Sequence, residues 1–526
     1  MVLLDKSSDP KTILRLLLKN RGIKALDFHE FLKPSSPQNF LKLTPAIKLI
    51  KNNLSKNILI YGDYDVDGIV SSAILFQAFN SLGSPTFVLL PNRETDGYGI
   101  KATSFLKFQE LNKVKFDLLI TVDNGIVAGE EFTKILTKQP QLKILVIDHH
   151  LKNDQKLPVD AIVHSTDTSA AALAYFLAKE LNADTDLGLA ALGVVADCLP
   201  LTGINRQIVV HGLNSLRKNP PLSLKLLLAS VGIKSDSLSV YDLSFIVAPR
   251  LNAAGRLDDP TLAFSFLNSE IQEEAGKFLT LLNNHNQNRQ GLEKKSLEIA
   301  EEKISRDVAC NVSTASFIFI SDSSFHPGVI GLIAGRLTEK YHLPSIIISQ
   351  KGSFARGSCR SVKGHHITNI LRVFQDLFID LGGHALAAGF SIDPVNIPEL
   401  KNKLETYFTS AKISVFDPLA AVDAQMTLDA VTPTNIKYIN LLSPFGIGNP
   451  TPTFYFKDLI ISSFRQIGST GDHLKFKFGS LDAVAFRQGK LFSSLKVGQP
   501  ISFIASLDLN TWNGTTSPQL IVKEIL

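Results

Sequence analysis

Cysteine is scarce in this chain: Cys198, Cys310 and Cys359 are the only three in 526 residues, and no two of them have a paired spacing. That scarcity excludes a disulfide framework and a cysteine-built zinc site, and it fits a reducing compartment. Long apolar runs are missing as well; none approaches the roughly 20 residues of a membrane-spanning helix. The opening residues, MVLLDKSSDP, carry charge too early for a secretory leader. A soluble, cytoplasmic protein with no membrane partner is therefore expected. Charge of one sign is not dominant either. Lys and Arg number 54 against 49 Asp and Glu, a net of +5, which permits nucleic-acid binding without arguing for it. The chain has no GxxxxGK[ST] phosphate loop and no dinucleotide fingerprint, so nucleotide-driven motion is not indicated.

Against these absences stand three short apolar runs in the first third of the chain. Ile58-Leu59-Ile60 leads into Asp63, Asp65 and Asp67; Leu118 to Val122 ends at Asp123; Ile144 to Ile147 ends at Asp148-His149-His150. Continuous β-prone runs of this length read as strands buried on both faces of a parallel sheet. Ligands gather outside the carboxyl ends of such strands. Several carboxylates brought to one sheet edge repel each other, and divalent cations are the natural counter-charge. Hard oxygen ligands suit Mg²⁺ or Mn²⁺, and an added imidazole favours Mn²⁺. Two such ions can clamp the attacking and leaving oxygens of a phosphoryl displacement. The competing reading of DxDxDG is a calcium loop, which requires Glu at its twelfth position. That position is Ile74 counted from Asp63 and Phe76 counted from Asp65, so the calcium loop is excluded.

The rest of the chain falls into distinct textures. Residues 1 to about 50 read as a helical lead-in. From Ile58 to about Leu201, strands alternate with helices, the α/β signature; the apolar stretch 187–196 reads as a buried helix delivering Asp197. Residues 267–307, polar and free of proline, suggest a long helix, placed between two lobes. A second α/β unit begins near Phe317. Beyond residue 412, short alternating segments separated by Gly, Asp and Asn turns suggest a small antiparallel barrel.

Several segments outside the acidic cluster suit phosphate. Arg250 and Arg256 flank a stretch read as a turn, with Asn252 and the small residues Ala253, Ala254 and Gly255 between them. Arg forks match phosphate oxygens bidentately. GSCRS offers Ser358, Arg360 and Ser361 as donors. GGHALAAG, read as a GG turn opening an Ala-rich helix, sets His384 among residues small enough to admit a sugar-phosphate backbone. His326 divides between substrate contact and turn structure.

Together these segments resemble a known family. GDYDVDG, the Asp of TVDNG, IDHH and the Asp of VVADCLPL are similar to the successive motifs of the DHH phosphoesterases. NRGI, PNRETDGYG, VAPRLNAAGRLDDP, HPGVIGLIAGRL, GSCRSVKG, GGHALAAG and PFGIGNPTPTF resemble its RecJ branch, in the RecJ order. The resemblance implies an α/β architecture: a lead-in at 1–50, a parallel-sheet DHH domain at 51–235, a connecting segment with the long helix at 236–312, a second α/β, DHH-associated domain at 313–412, and an oligonucleotide-binding barrel at 413–526. It implies a 5′→3′ exonuclease that degrades single-stranded DNA to mononucleotides, for repair and recombination, with two divalent cations, Mn²⁺ or Mg²⁺. The family's ligands map onto Asp65, Asp67, Asp123, His149 and Asp197, with Asp63 a neighbour. Asp148 would orient the site and His150 would touch the scissile phosphate. Arg93 and Tyr98 become candidates for substrate contact, and Arg256 for the 5′ phosphate. In the barrel, Phe476, Phe486, Arg487 and Trp512 are candidates for base stacking. A helicase and a single-strand-binding protein would be partners of a monomer. Residues 163–172, VHSTDTSAAA, depart from the family, which has Asn-Pro and Cys-Gly-Ala-Gly there; the departure bears on fine contacts near the site and is expected to touch no ligand. His365 and His366 stand where the family commonly has an aromatic residue.

Overall fold

The structure, a computed structural model, describes residues 2–93, 95–153, 155–308, 316–352, 354–410, 419, 422–512 and 514–526. Cys310 and the side chain of Trp512 lie outside the described residues. The chain divides into two compact units. One joins Met1–Leu89, Gly99–Ala248 and Asp417–Leu526; the other joins Leu90–Tyr98 and Pro249–Phe416.

The first unit contains a five-stranded parallel sheet, ordered Thr86–Leu89, Ile58–Tyr61, Leu118–Val122, Lys143–Asp148 and Ala161–His164. Its second and third strands are buried at every residue, as their unbroken apolar sequences require. Phe105, Phe132 and Ile135, from helices Ala102–Asn112 and Gly129–Lys138, join one apolar cluster against the sheet. Helices Val66–Ser81, Ala170–Glu180 and Leu187–Ala196 pack on one another. The last two are apolar almost throughout and the first carries only small or inward polar residues on its first three turns, so each is buried around most of its circumference.

The same unit holds an eight-stranded mixed sheet. Seven strands come from the C-terminal residues, and the eighth, Leu3–Leu4, comes from the other end of the chain and pairs in parallel with Ala424–Met426. Helix Pro10–Asn20 buries Ile13, Leu14, Leu17 and Leu18 in the core of this sheet, with Ile436, Phe454 and Phe503. At about 1.5–3 kcal/mol for each large apolar side chain buried, that docking is a substantial part of the core. Helix Pro10–Asn20, read as part of the lead-in, thus joins the core of the C-terminal sheet.

In the second unit a five-stranded sheet runs Phe378–Gly383, Ala387–Ile392, Ala355–Arg360, Ser345–Ser349, Ile318–Asp322. Only its last pair is parallel; the rest are antiparallel. Helix Gln272–Val308 belongs to this unit. Its Leu292, Leu297 and Ala300 pack with Ile333 and Leu337 of helix Ile330–Tyr341.

Two local readings are corrected here. The arginine-bearing stretch is not a turn but helix Ala248–Leu257. Leu251, Ala253 and Ala254 are fully buried, and that packing outweighs the turn-like look of Pro249, Asn252 and Gly255. GGHALAAG opens no helix. It forms a hairpin between strands Phe378–Gly383 and Ala387–Ile392, so no helix N-terminus is present there. The buried alternation Ala388, Phe390, Ile392 was the period-two signal for a strand.

Candidate metal centre

Each acidic run lies at the C-terminal end of its strand, and local chemistry sets each side chain. Asp65 caps helix Val66–Ser81, and its Oδ1 accepts from the N–H groups of Asp67 at 3.0 Å and Gly68 at 3.2 Å. A Cβ at Gly68 would lie 2.7 Å from the Asp63 backbone, so only glycine lets the helix start this close beneath Asp63. Asp123 follows Leu118–Val122 in a left-handed conformation, φ 62°. For a residue with a side chain this costs on the order of 1–3 kcal/mol. It is held by its N–H on the Ile147 carbonyl at 3.0 Å and by buried Asn124, whose amide donates to the carbonyls of Val122 at 2.9 Å and Tyr61 at 3.3 Å.

Asp148 is a buried hub. Its Oδ1 accepts the N–H groups of His149 at 2.7 Å and His150 at 3.1 Å and faces His150 Nδ1 at 2.7 Å; its Oδ2 accepts from Ile126 N–H at 2.9 Å. Asp197 caps the C-terminus of helix Leu187–Ala196, as the buried-helix reading expected.

Asp67 is held by residues that the sequence reading left out. Both its oxygens accept from the start of helix Ala170–Glu180: Oδ2 from Ala170 N–H at 2.7 Å and Oδ1 from Ala171 N–H at 3.1 Å. The positive end of a helix stabilises a carboxylate placed there. These N–H groups belong to the 163–172 segment, which therefore does touch a candidate ligand, although it replaces none. The available signal was Ser169 ahead of an alanine run, an ordinary N-cap, and Ser169 Oγ does cap this helix. His164, also in that segment, meets the His150 carbonyl at 2.8 Å.

The structure brings the metal candidates together. His149 Nε2 lies 3.1 Å from Asp123 Oδ1, 3.6 Å from Asp197 Oδ2 and 3.9 Å from Asp67 Oδ2. Three groups have ligand atoms within 4.8 Å of one another: Asp67, His149 and Asp197; Asp63, Asp65 and Asp123; and Asp123, His149 and His150. Burial, then the neighbouring Asp65 charge, raises Asp67 to about 7, against the backbone N–H bonds that favour its anion. Asp197 is raised to about 8 by burial and by Asp67 and Asp65. Asp123 is pushed well above the usual carboxylate range by burial and its acidic neighbours. Burial would lower His150, but Asp148, with Asp197 and Asp63, outweighs it and lifts the imidazole to about 9. Among the described residues, buried Asp123 Oδ1 accepts no hydrogen bond and has the imidazoles of His149 at 3.1 Å and His150 at 3.9 Å beside it. An acceptor that accepts none, among carboxylates that resist ionising together, fits a bound cation.

The nine candidates for substrate contact lie in the second unit. Arg93 and Tyr98 sit in the irregular segment after Thr86–Leu89, which Asn92 ties to the Asp258 carbonyl at 3.1 Å. Arg250, Asn252 and Arg256 lie on one helix. Arg250 Nε donates to Asn283 Oδ1 at 2.9 Å, and Arg256 Nη1 donates to the Gly328 carbonyl at 3.2 Å. His326 Nδ1 accepts from Gly328 N–H at 3.0 Å, so Arg256 and His326 share one neighbourhood. Ser358 and Arg360 lie two residues apart on one strand, Nη1 to Oγ 3.4 Å. His384 is exposed at the hairpin turn, its N–H on the Ala387 carbonyl at 2.7 Å. In the C-terminal sheet Phe476 is core, whereas Phe486 is 52% exposed. His366 caps helix Ile367–Arg372 through Nδ1.

Comparison with known proteins agrees with this layout. Residues 57–201 match the DHH family N-terminal domain, 312–410 the DHHA1 domain and 422–524 the RecJ OB domain. The single-stranded-DNA-specific exonuclease RecJ of Bacillus subtilis (strain 168) is 30% identical over 99% of this chain and 67% of its own length. The structure of RecJ from Thermus thermophilus in complex with Mn²⁺ superposes with a TM-score of 0.83 at 27% identity, covering 100% of this chain and 79% of that one. The Mg²⁺ complex gives 0.77 at 26%, covering 100% and 78%. Among the described residues no helix is long and apolar enough to cross a membrane.

Proposed function

The chain belongs to the RecJ family of single-stranded-DNA-specific exonucleases, and from that premise we propose that it is a metal-dependent nuclease digesting single-stranded DNA from the 5′ end to mononucleotides. The observation that carries the reading is the convergence of Asp67, Asp123, His149 and Asp197 on one point. Asp65, Asp67, Asp123, His149 and Asp197, with Asp63 beside them, would hold two divalent cations, Mn²⁺ or Mg²⁺. Such ions polarise a phosphodiester and acidify a water near neutral pH.

The chain's own residues do the rest. Asp148 fixes His150 in place and favours its protonated form, so its second ring nitrogen can donate to a phosphate oxygen or to the departing 3′ oxygen. Arg250, Asn252, Arg256, His326, Ser358, Arg360, His384, Arg93 and Tyr98 are assigned to the strand, Arg256 to its 5′ phosphate. The OB domain would supply further contacts through exposed residues such as Phe486 and Arg487. The protein would act as a cytoplasmic monomer in repair and recombination, with a helicase and a single-strand-binding protein as partners.

The test is purified protein with Mn²⁺ and 5′-labelled single-stranded DNA. Processive release of labelled mononucleotide is expected. Cleavage of di- and trinucleotides alone would indicate a short-oligonucleotide hydrolase, and tight binding without cleavage would indicate a silent scaffold. Asp123→Ala should abolish cleavage with an unchanged circular dichroism spectrum; surviving nuclease activity refutes the metal assignment.

A further inference from the structure

We propose that the loop Gly446–Asn449 of the C-terminal domain positions Asp197, so that the domain assigned to gripping the strand also sets the geometry of the metal centre. The inference rests on the reading of Asp197 as a ligand. Among the described residues, Asp65, Asp67 and Asp148 have backbone N–H groups on their carboxylates. Asp197 instead has His149 at 3.6 Å, and its place is set by its own backbone. That backbone leaves the helix through Cys198, at φ 59°, and runs through Leu199, whose N–H donates to the Val194 carbonyl at 3.2 Å, into Pro200-Leu201.

Those two residues lie against the loop. Leu201 N–H donates to the Ile447 carbonyl at 2.7 Å. A Cβ on Gly448, itself at φ 74°, would lie 2.8 Å from Pro200 Cβ, and one on Gly446 would lie 2.7 Å from Leu201 Cδ1. The loop is also stiff. Gly446 and Asn449 exchange backbone hydrogen bonds of 2.9 and 3.1 Å. The buried Asn449 amide donates to the Leu442 and Pro444 carbonyls, both at 2.8 Å, and its Oδ1 accepts from Arg21 Nε at 2.9 Å. Arg206, in the helix that follows Leu201, donates to the Ser443 carbonyl at 2.8 Å. A braced wall therefore meets the chain three residues beyond Asp197, and a shift of that wall reaches the carboxylate through Pro200 and the capped helix end.

The experiment measures Mn²⁺ affinity by calorimetry on the full chain without DNA, for wild type, Gly448→Ala, Asp197→Ala and the double variant, per mole of folded protein. Gly448→Ala should weaken Mn²⁺ binding about tenfold or more, the range for residues that orient a ligand. The double variant should bind no more weakly than Asp197→Ala alone, because once the carboxylate is gone its positioning has nothing to act on. A merely structural contact would give additive losses. Wild-type affinity in Gly448→Ala alongside a loss in Asp197→Ala overturns the proposal and leaves the ligand reading standing. Wild-type affinity in Asp197→Ala overturns both. Should Gly448→Ala fail to fold, Gly446→Ala presses mainly on the Leu201 side chain and enters the same cycle; the expected loss is severalfold, and wild-type affinity there overturns the proposal.

Discussion

Gly193→Ala is the smallest change that should disable the metal centre. The glycine sits in helix Leu187–Ala196 at its contact with helix Ala170–Glu180. An added Cβ would lie 2.4 Å from Ala171 Cβ and 2.5 Å from Asp67 Oδ1. Neither neighbour is the loose end of a flexible side chain. Asp67 Oδ1 is held by the Ala171 N–H, and the Ala171 Cβ belongs to that helix. Overpacking of this kind costs about 1–3 kcal/mol, and alanine in a helix returns about 1 kcal/mol over glycine. Net destabilisation should therefore be small, a few degrees in Tm at most. The effect on Asp67 should be larger. Its carboxylate must retreat from an N–H whose charge-assisted bond is worth about 1.5–3 kcal/mol, and a displaced ligand weakens metal binding by roughly 10–100-fold. Calorimetry with Mn²⁺ and nuclease assays across Mn²⁺ concentration measure this, with activity recovering in part at high Mn²⁺. Gly276→Ala is the control: it lies in helix Gln272–Val308 with nothing within 4 Å, and should stabilise slightly and leave Mn²⁺ affinity unchanged. A Gly193→Ala protein that binds Mn²⁺ and cleaves like wild type would refute the claim that this close approach places Asp67.

The acidic cluster should also make metal binding and stability depend on pH. Asp67 and Asp197 are raised to about 7 and 8, so between about pH 5 and 8 these two carboxyls hold more protons in the folded metal-free protein than in the unfolded chain. Its stability should fall as pH rises through that window, and stabilisation by Mn²⁺ should grow over the same range; thermal melts with and without Mn²⁺ test this, and a Mn²⁺ increment that is flat with pH contradicts it. Asp148→Asn should release His150 from about 9 toward its ordinary 6.5, shift the alkaline limb of the pH–rate profile down, and cost about 10²-fold or more in rate; an unmoved limb would argue against His150 as the donor. Arg256→Ala should erase about 10–100-fold of preference for 5′-phosphorylated over 5′-hydroxyl strands, the worth of one charge-assisted hydrogen bond; retained preference in competition digests assigns the 5′ end to another residue.

The candidate site residues were legible because their signal is local. An apolar run of five residues identifies a buried strand, and the residue after it falls at the ligand-binding edge whatever the remainder of the chain does. Asp123, Asp148 and His149 needed no more than that. Asp197 needed only the apolar decapeptide before it. The misread segments are those in which tertiary packing overrides composition. Pro249, Asn252 and Gly255 look like turn residues, yet Leu251 and Ala254 are wholly buried and the stretch is helical. The alanines of GGHALAAG look helical, yet Phe390 lies over Gly357 of the neighbouring strand, where an added Cβ would meet the ring at 2.0 Å, so small residues there serve a sheet. Least legible was the joining of the chain's ends: Leu3 pairs with Gln425 and Arg21 reaches Asp423 at 3.4 Å. No window of sequence contains both partners of such a contact.

That long-range joining bears on why the carboxylates tolerate one another. Each needs a fixed position while repelling its neighbours, and three obtain it from backbone N–H groups: Asp67 from helix Ala170–Glu180, Asp148 from Ile126, Asp65 from its own helix. These donors remain after metal is removed. They hold like charges in an arrangement that burial penalises, which is what the raised Asp67, Asp123 and Asp197 express. A site preorganised in this way binds its cations without first collecting its ligands, and the conformational cost is met when the chain folds. It follows that changes in the supporting helices and loops should act on metal affinity well before they act on the fold.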